Sequence, residues 1–235
     1  MTNLDPWRFF DRIYCISLKE RSDRRDEARR QFASVGLLPR VEFVVVTPHP
    51  GNPEQGIFES HLACLRRGVK AGAQTVLIFE DDIQFPRFDP ARLADACTAL
   101  ANLPDWNGFF LGAITSGSHR TSSPSLRRIR YRCLTHGYAV SRVFAEQLLA
   151  HPWTGTPYDG VLRQIQNNFF AVRPMCAFQG QAKSDNRTVI IDRLRRLCGG
   201  LPFIQRANEL YQNHKLALIG LHLAALAGLC ALAWW

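Results

Sequence analysis

The run Val76-Leu77-Ile78-Phe79-Glu80-Asp81-Asp82 limits what this chain can become more than any other stretch. Apolar residues with the look of a buried strand give way at once to three adjacent carboxylates. A buried strand gains nothing from acids, and their mutual repulsion calls for a counter-charge. In an open α/β sheet ligands sit beyond the carboxyl ends of the strands, so a divalent cation is the natural one there. Hard ions such as Mg²⁺ or Mn²⁺ take one or two carboxylates together with phosphate oxygens and water. Side chains alternate along a strand, which puts Glu80 and Asp82 on one face and Asp81 on the other. The plainer alternative is an acidic, solvated turn leading to Pro86.

Around that run, strand-like and helix-like segments alternate. Asp11–Leu18 reads as a strand, and Ser22 can cap a helix that runs to about Ser34 and stops at Gly36. Val41–Val46 is a second strand, and Phe58–Ala71 is a helix ended by Gly72. Pro90–Leu103 reads as helical and Gly108–Leu111 as a strand. Tyr138–Val140 leads into a helix across Val143–Ala150. The alternation predicts an α/β fold, a mainly parallel sheet flanked by helices on both faces. Residues 115–130, rich in Ser, Thr, Gly and Arg, read as a mobile loop. There is no internal repeat, no P-loop and no G-x-G-x-x-G, so a dinucleotide fold has no support.

The formal net charge is +9, which points to an anionic partner: a nucleic acid, a phosphate-bearing small molecule or a membrane surface. The stretch Arg127-Arg128-Ile129-Arg130-Tyr131-Arg132, with His119 and Arg120 before it, could hold acceptor phosphates, lie on anionic lipid or solvate a loop. It carries a single aromatic, so no nucleic acid is expected as a partner. Seven cysteines (15, 64, 97, 133, 176, 198 and 230) stand singly with no C-x-x-C. With no early signal peptide, that argues against a zinc site or disulfide framework and for a reducing cytoplasm.

From Leu216 to Trp235 the chain is apolar apart from His222 and two glycines, and it closes on Trp234-Trp235. About twenty helical residues span about 30 Å, the thickness of a bilayer's hydrocarbon core. A C-terminal transmembrane helix is therefore expected at 215–235, with Lys215 and the tryptophans at its boundaries. Upstream, Ile190, Ile191, Leu194, Leu197, Cys198 and Leu201 recur at helical spacing with arginines between them. Residues 188–214 thus read as a basic amphipathic connector suited to anionic lipid. The positive-inside bias places the rest of the chain on the cytoplasmic face of the inner membrane.

Several ordered motifs resemble one known family. Ile13-Tyr14-Cys15-Ile16-Ser17-Leu18-Lys19, followed by Arg21, Asp23, Arg24 and Arg25, is similar to the opening of glycosyltransferase family 25. That family includes bacterial lipooligosaccharide galactosyltransferases and the collagen galactosyltransferase domain. Gly56-Ile57-Phe58-Glu59-Ser60-His61-Leu62 resembles its G-x-x-x-S-H-L segment, and Leu77–Asp82 its strand ending in E-D-D. Gly137-Tyr138-Ala139-Val140-Ser141 with Asp159, and Gln179 with Ser184-Asp185, are similar to its later G-Y-A-x-S…D and Q…S-D elements. The likeness covers about residues 11–187, which makes 1–187 the expected glycosyltransferase domain. Phe58 and Glu59 depart from the usual Cys and small residue, and Ser17 stands where Asn is common.

The resemblance implies a GT-A-like fold and inverting transfer of a hexose, galactose among the candidates, from a UDP-sugar donor to a glycan or glycolipid acceptor. Together with the tail, it suggests a cell-envelope acceptor such as the lipopolysaccharide core. A metal on the donor's diphosphate, backed by arginines, would stabilise the charge of the departing nucleoside diphosphate. Asp82 is the first candidate metal ligand, and Glu80 or Asp81 would support the ion or hold the ribose. Arg24 could meet uracil or phosphate, and Ser60-His61 would be a donor-site pair. An inverting transfer needs a general base at the acceptor hydroxyl. Asp159 is the candidate, with Asp185 the alternative or a further metal ligand. Two other readings stay open: a non-catalytic membrane-anchored nucleotide-sugar-binding module of the same fold, and a nucleotidyl or phosphoryl transferase using the same acids.

Overall fold

The computed structural model describes residues 5–180 and 200–232. Its centre is an eight-stranded sheet in the order β2-β1-β3-β8-β5-β9-β7-β6. The strands are β1 Arg12–Leu18, β2 Val41–Val46, β3 Thr75–Glu80, β5 Gly108–Phe110, β6 Ile114–Arg120, β7 Leu126–Cys133, β8 Gly137–Ser141 and β9 Phe169–Val172. β1 pairs in parallel with β2 and β3, and β5 with β9, while β8 and β7 run against their neighbours. The sheet is thus mixed, with most strands running one way, close to the expected α/β pattern. A small second ladder pairs β4 Ile83–Gln84 with β10 Phe178–Gln179.

Helices cover both faces, and the alternation of β3 shows why. Leu77 and Phe79 pack with Phe32 of α1 (Ser22–Ser34) and Leu93 and Leu100 of α3 (Pro90–Ala101). Val76 and Ile78 point the other way, into a core with Leu62 and Leu65 of α2 (Pro53–Lys70). Phe144 of α4 (Arg142–Leu149) and Leu162 of α5 (Tyr158–Ile165) belong to that second core. A strand buried on both faces reads as a continuous apolar run. The glycine stops behave as anticipated: Gly36 at φ +69° and Gly72 at φ +77° adopt the left-handed conformation that costs glycine least. Ser22 is the first residue of α1 rather than its cap, a position held by Arg21.

Two expectations need correction. Residues 115–130 are not a loop: β6 and β7 form an antiparallel hairpin over most of that stretch, joined by a turn. The alternation Ile129-Arg130-Tyr131-Arg132 sends the apolar residues inward and the arginines outward, the pattern of a half-buried strand. The second concerns the tail. Among the described residues no helix is long and apolar enough to cross a membrane, so the expected span at 215–235 finds no support.

One helix, α6 (Gly200–Leu232), runs through this region with a break in helical geometry at His214. Its first part is a docking element. Gln205 and Glu209 are buried, and the Asn208 side chain accepts from the Thr115 N–H at 2.9 Å and donates to the Thr115 carbonyl at 2.9 Å. Ser118 donates to Asn213 at 2.7 Å. Residues 181–199, which include Asp185 and most of the basic amphipathic stretch, and Trp234 and Trp235 lie outside the described residues.

Candidate active site

The carboxyl ends of β1 and β3 open into a cavity of about 430 Å³ between α1 and α2. Its polar lining includes Arg21, Arg24, Ser60, His61, the three carboxylates 80–82 and Gln179. Ile16, Leu18, Val46 and Ile57 supply an apolar wall. Such a mixture, mostly apolar with a few placed polar groups, is usual for a small-molecule site. Residues from several of the sequence motifs therefore meet here; Asp159 is not among the lining residues, and Asp185 lies outside the described residues.

β3 ends at Glu80, and Asp81-Asp82 form a turn into β4, so strand alternation does not govern all three acids. Asp81 and Asp82 sit together on Arg24: one guanidinium nitrogen lies 2.7 Å from Asp81 Oδ1 and 2.7 Å from Asp82 Oδ2. Glu80, not Asp81, stands apart. Two carboxylates share one cation, and burial pushes both carboxyls up. Arg24 pulls the other way, joined by Ser17 at Asp81 and by Gln179 at Asp82. Gln179 Nε2 donates to Asp82 Oδ2 at 2.9 Å.

Among the described residues, three buried polar atoms in this cluster lack partners: Arg24 Nε, Asp82 Oδ1 and Gln179 Oε1. An orphaned buried polar atom is costly in an isolated protein, and two of these are oxygens of the kind hard cations prefer. The donor set fits an ion held by Asp82 and Gln179 with the rest of its shell from phosphate and water. It does not make an all-protein cage, and among the described residues no group of three or more His, Cys, Asp or Glu could hold a metal.

Glu80 has its own partners. Thr135 donates to Glu80 Oε1 at 2.6 Å, and His61 Nε2 lies 3.7 Å from the same oxygen. Burial alone would raise Glu80, but the imidazole and the hydroxyl outweigh it and hold the carboxylate low. His61 is almost fully buried, and its Nδ1 is 3.0 Å from the Tyr138 hydroxyl. Tyr138 donates to Tyr158 at 2.8 Å. Burial raises both phenols, which keeps them protonated. Glu80, His61, Tyr138 and Tyr158 thus form a line from the cavity into the core.

The other named residues divide between pocket and frame. Ser60 lines the cavity, but its hydroxyl donates to the Gly56 carbonyl at 2.6 Å. Arg25 braces the end of β1 through Ser17 Oγ at 3.2 Å and the Leu18 carbonyl at 3.1 Å. Arg21 lines the cavity while holding Asp23 at 3.0 Å. Phe58 is buried against Trp153 and Tyr158. Asp159 sits in the first turn of α5, where a carboxylate suits the helix dipole; its charge adds to burial in raising Tyr131. Tyr158, Thr135 and His49 are site residues with no sequence signal beyond a buried histidine's need for partners. Gly56, the glycine of the G-x-x-x-S-H-L segment, has a steric role: a Cβ there would come within 2.8 Å of the His49 side chain, so glycine lets that loop close on α2.

No family model matches the chain, so glycosyltransferase family 25 gains no confirmation from that side. Over 171 residues the chain is 26% identical to procollagen galactosyltransferase 1 of Danio rerio, a match covering 60% of this chain and 28% of that protein. The chain therefore spans little more than a quarter of that relative. Three solved structures superpose on it. A197 from STIV does so at 11% identity and a TM-score of 0.46, covering 72% of this chain and 85% of that one. A glycosyltransferase involved in glycosylating the major capsid of PBCV-1 gives 13% and 0.40, covering 68% and 80%. Mannose-1-phosphate geranyltransferase from Thermus thermophilus gives 11% and 0.43, covering 68% and 73%. Likeness at those scores says nothing of this chain's chemistry. The match to procollagen galactosyltransferase 1 specifies neither donor nor acceptor for this chain.

Proposed function

We propose that this chain is a glycosyltransferase that moves a hexose from a UDP-sugar to an acceptor glycan, with inversion at the anomeric carbon. The observation that carries this reading is that Arg24, Asp82 and Gln179 line one cavity, each with a buried polar atom (Nε, Oδ1 and Oε1) that has no partner among the described residues. The galactosyltransferase relative adds support from the sequence side.

In this reading the donor's diphosphate lies over Arg24, and its nucleoside lies against the apolar wall of Ile16, Leu18 and Val46. A divalent cation held by Asp82 and Gln179 would neutralise negative charge on the departing UDP. Arg24, fixed by two carboxylates before any ligand arrives, meets that charge without reorganising. The His61–Tyr138–Tyr158 line holds Glu80 as a carboxylate beside the cavity, available to ribose hydroxyls. By the motif resemblance alone, the base that takes the acceptor's proton is Asp159 or its alternative Asp185; Asp159 is not among the cavity's described lining residues. An envelope glycan such as the lipopolysaccharide core is the proposed acceptor, drawn from the apolar tail together with the family resemblance rather than from the cavity.

One observation favours the rival, a nucleotide-sugar-binding module without turnover: Arg24 already pairs with both Asp81 and Asp82. Calorimetric titration of the full chain with UDP, UDP-galactose and UDP-glucose, with and without Mn²⁺, separates the readings. The transferase reading expects Mn²⁺-dependent binding of one UDP-sugar, weakened on the order of tenfold or more in Asp82→Asn, with release of UDP when an acceptor is supplied. Binding without turnover over a broad acceptor panel leaves the module, and no binding by folded protein removes both.

A further inference from the structure

A second cavity, of about 330 Å³, lies where α6 meets the Arg173-Pro174 turn and the segment before α3. Arg87, Arg92, Arg173 and Arg206 line it, against the single carboxylate Glu209. None of its lining residues belongs to the donor cavity. Part of this positive charge is matched: Arg87 reaches Glu209 at 3.3 Å, Arg92 stands 3.9 Å from Asp89, and Arg206 lies over the Phe178 ring at 5.1 Å. Arg173 forms no ion pair among the described residues.

A further pair of like charges adjoins this cavity. Arg127 lines a small adjoining space that shares Arg173, Glu209 and Asn213 with the cavity. It is only 8% exposed, and its Nε has no partner among the described residues. Across the hairpin, Arg120 of β6 is registered directly opposite Arg127 of β7. Like charges so placed destabilise a sheet. Burial first, then the charges of Arg173 and Arg120, draw the Arg127 guanidinium below its ordinary value. A protein holds such a set together cheaply only when an anion joins it.

We infer that this cavity is a second ligand site, taking a phosphate or diphosphate group through Arg173, Arg206 and Arg92, with Arg127 reinforcing the field from behind. Planar guanidinium forks match phosphate oxygens in pairs, which ammonium groups do not. The phosphate could belong to a soluble ligand or to a lipid headgroup; the cavity chemistry is the same. The inference stands apart from sugar transfer, since no donor-cavity residue takes part.

The test uses the full chain and two probes: calorimetric titration with inorganic pyrophosphate, and co-sedimentation with phosphatidylcholine vesicles containing phosphatidylglycerol. Two variants are compared with the wild type, Arg173→Gln/Arg206→Gln and Arg92→Gln/Arg206→Gln, the latter altering only exposed side chains. Binding of either probe that weakens on the order of tenfold or more in both variants supports the site. Pyrophosphate binding assigns a soluble ligand, and vesicle binding alone assigns a headgroup. Binding that is indifferent to both variants, or no binding of either probe, overturns it.

Discussion

His61 lies flat against Tyr158, with ring centroids 4.2 Å apart and planes within 4° of parallel. The stack locks the imidazole's tilt, and the hydrogen bond to Tyr138 locks its rotation, so Nε2 is aimed at Glu80. A histidine in an apolar helix would ordinarily be a packing residue; here the ring is held by a stack and both its nitrogens are committed. His61→Phe keeps the stack and removes the polar contacts. The expected loss of stability is about 1–3 kcal/mol, read from urea unfolding, and alanine should cost more because the stack goes too. Equal midpoints for phenylalanine and the wild type would show the hydrogen-bonded line to be incidental.

The guanidinium of Arg24 joins Asp81 to Asp82 through a single nitrogen. Removing one partner of a buried ion pair typically costs about 3–5 kcal/mol. Arg24→Gln should show a loss of that order in chemical unfolding. It should also gain more melting temperature from added Mn²⁺ than the wild type does, because the ion takes over the neutralisation of the carboxylates. A variant that loses stability yet gains nothing extra from Mn²⁺ would remove the metal from the proposed mechanism.

Of the two candidate bases, Asp185 carries the prediction. Asp185→Asn should lower kcat by about 10²–10⁴-fold while donor affinity stays unchanged. Asp159→Asn should leave kcat near the wild-type value and affect stability slightly, through the first turn of α5. If the two variants exchange these behaviours, the base is Asp159 and α5 must approach the acceptor.

Glu209 gives a pH signature. Burial raises its carboxyl, against the pull of the Met175 N–H at 2.8 Å and of Arg87. A folded-state value above the unfolded one means the native protein keeps the proton longer. That contribution to stability is complete below the usual value of 4.5 and is lost as pH rises through the raised one. Melting curves from about pH 4 to about pH 7 should show the wild type losing ground to Glu209→Gln across that window. The glutamine can still accept from Met175. Parallel curves would mean that Glu209 titrates as in the unfolded chain.

Local signals in the sequence were readable and distant pairings were not. The end of β3 announced itself because apolar run and acids are contiguous, and Gly36 and Gly72 marked helix ends through a conformation only glycine adopts easily. Glu80, Asp82, Arg24, Ser60 and His61, named from separate motifs, line one cavity. Which acid faces which partner was not readable, because it depends on β3 stopping at Glu80 rather than running on to Asp82. Tyr158 meets His61 only once α5 is laid beside α2. The hairpin was missed because its arginines drew attention to charge, when the alternation of Ile129 and Tyr131 with them carried the structural message.

Asn208 presents its carbonyl oxygen to the Thr115 N–H and its amide to the Thr115 carbonyl, as the backbone of one more strand would. β6 is the last strand on that side of the sheet, and a bare last strand invites a second molecule to continue the ladder. A single side chain from α6 fills that vacancy near the start of β6 and turns the remaining rim toward a helix. The first part of α6, within the stretch expected to be a connector, therefore acts as a terminator of the hydrogen-bonded ladder at Thr115.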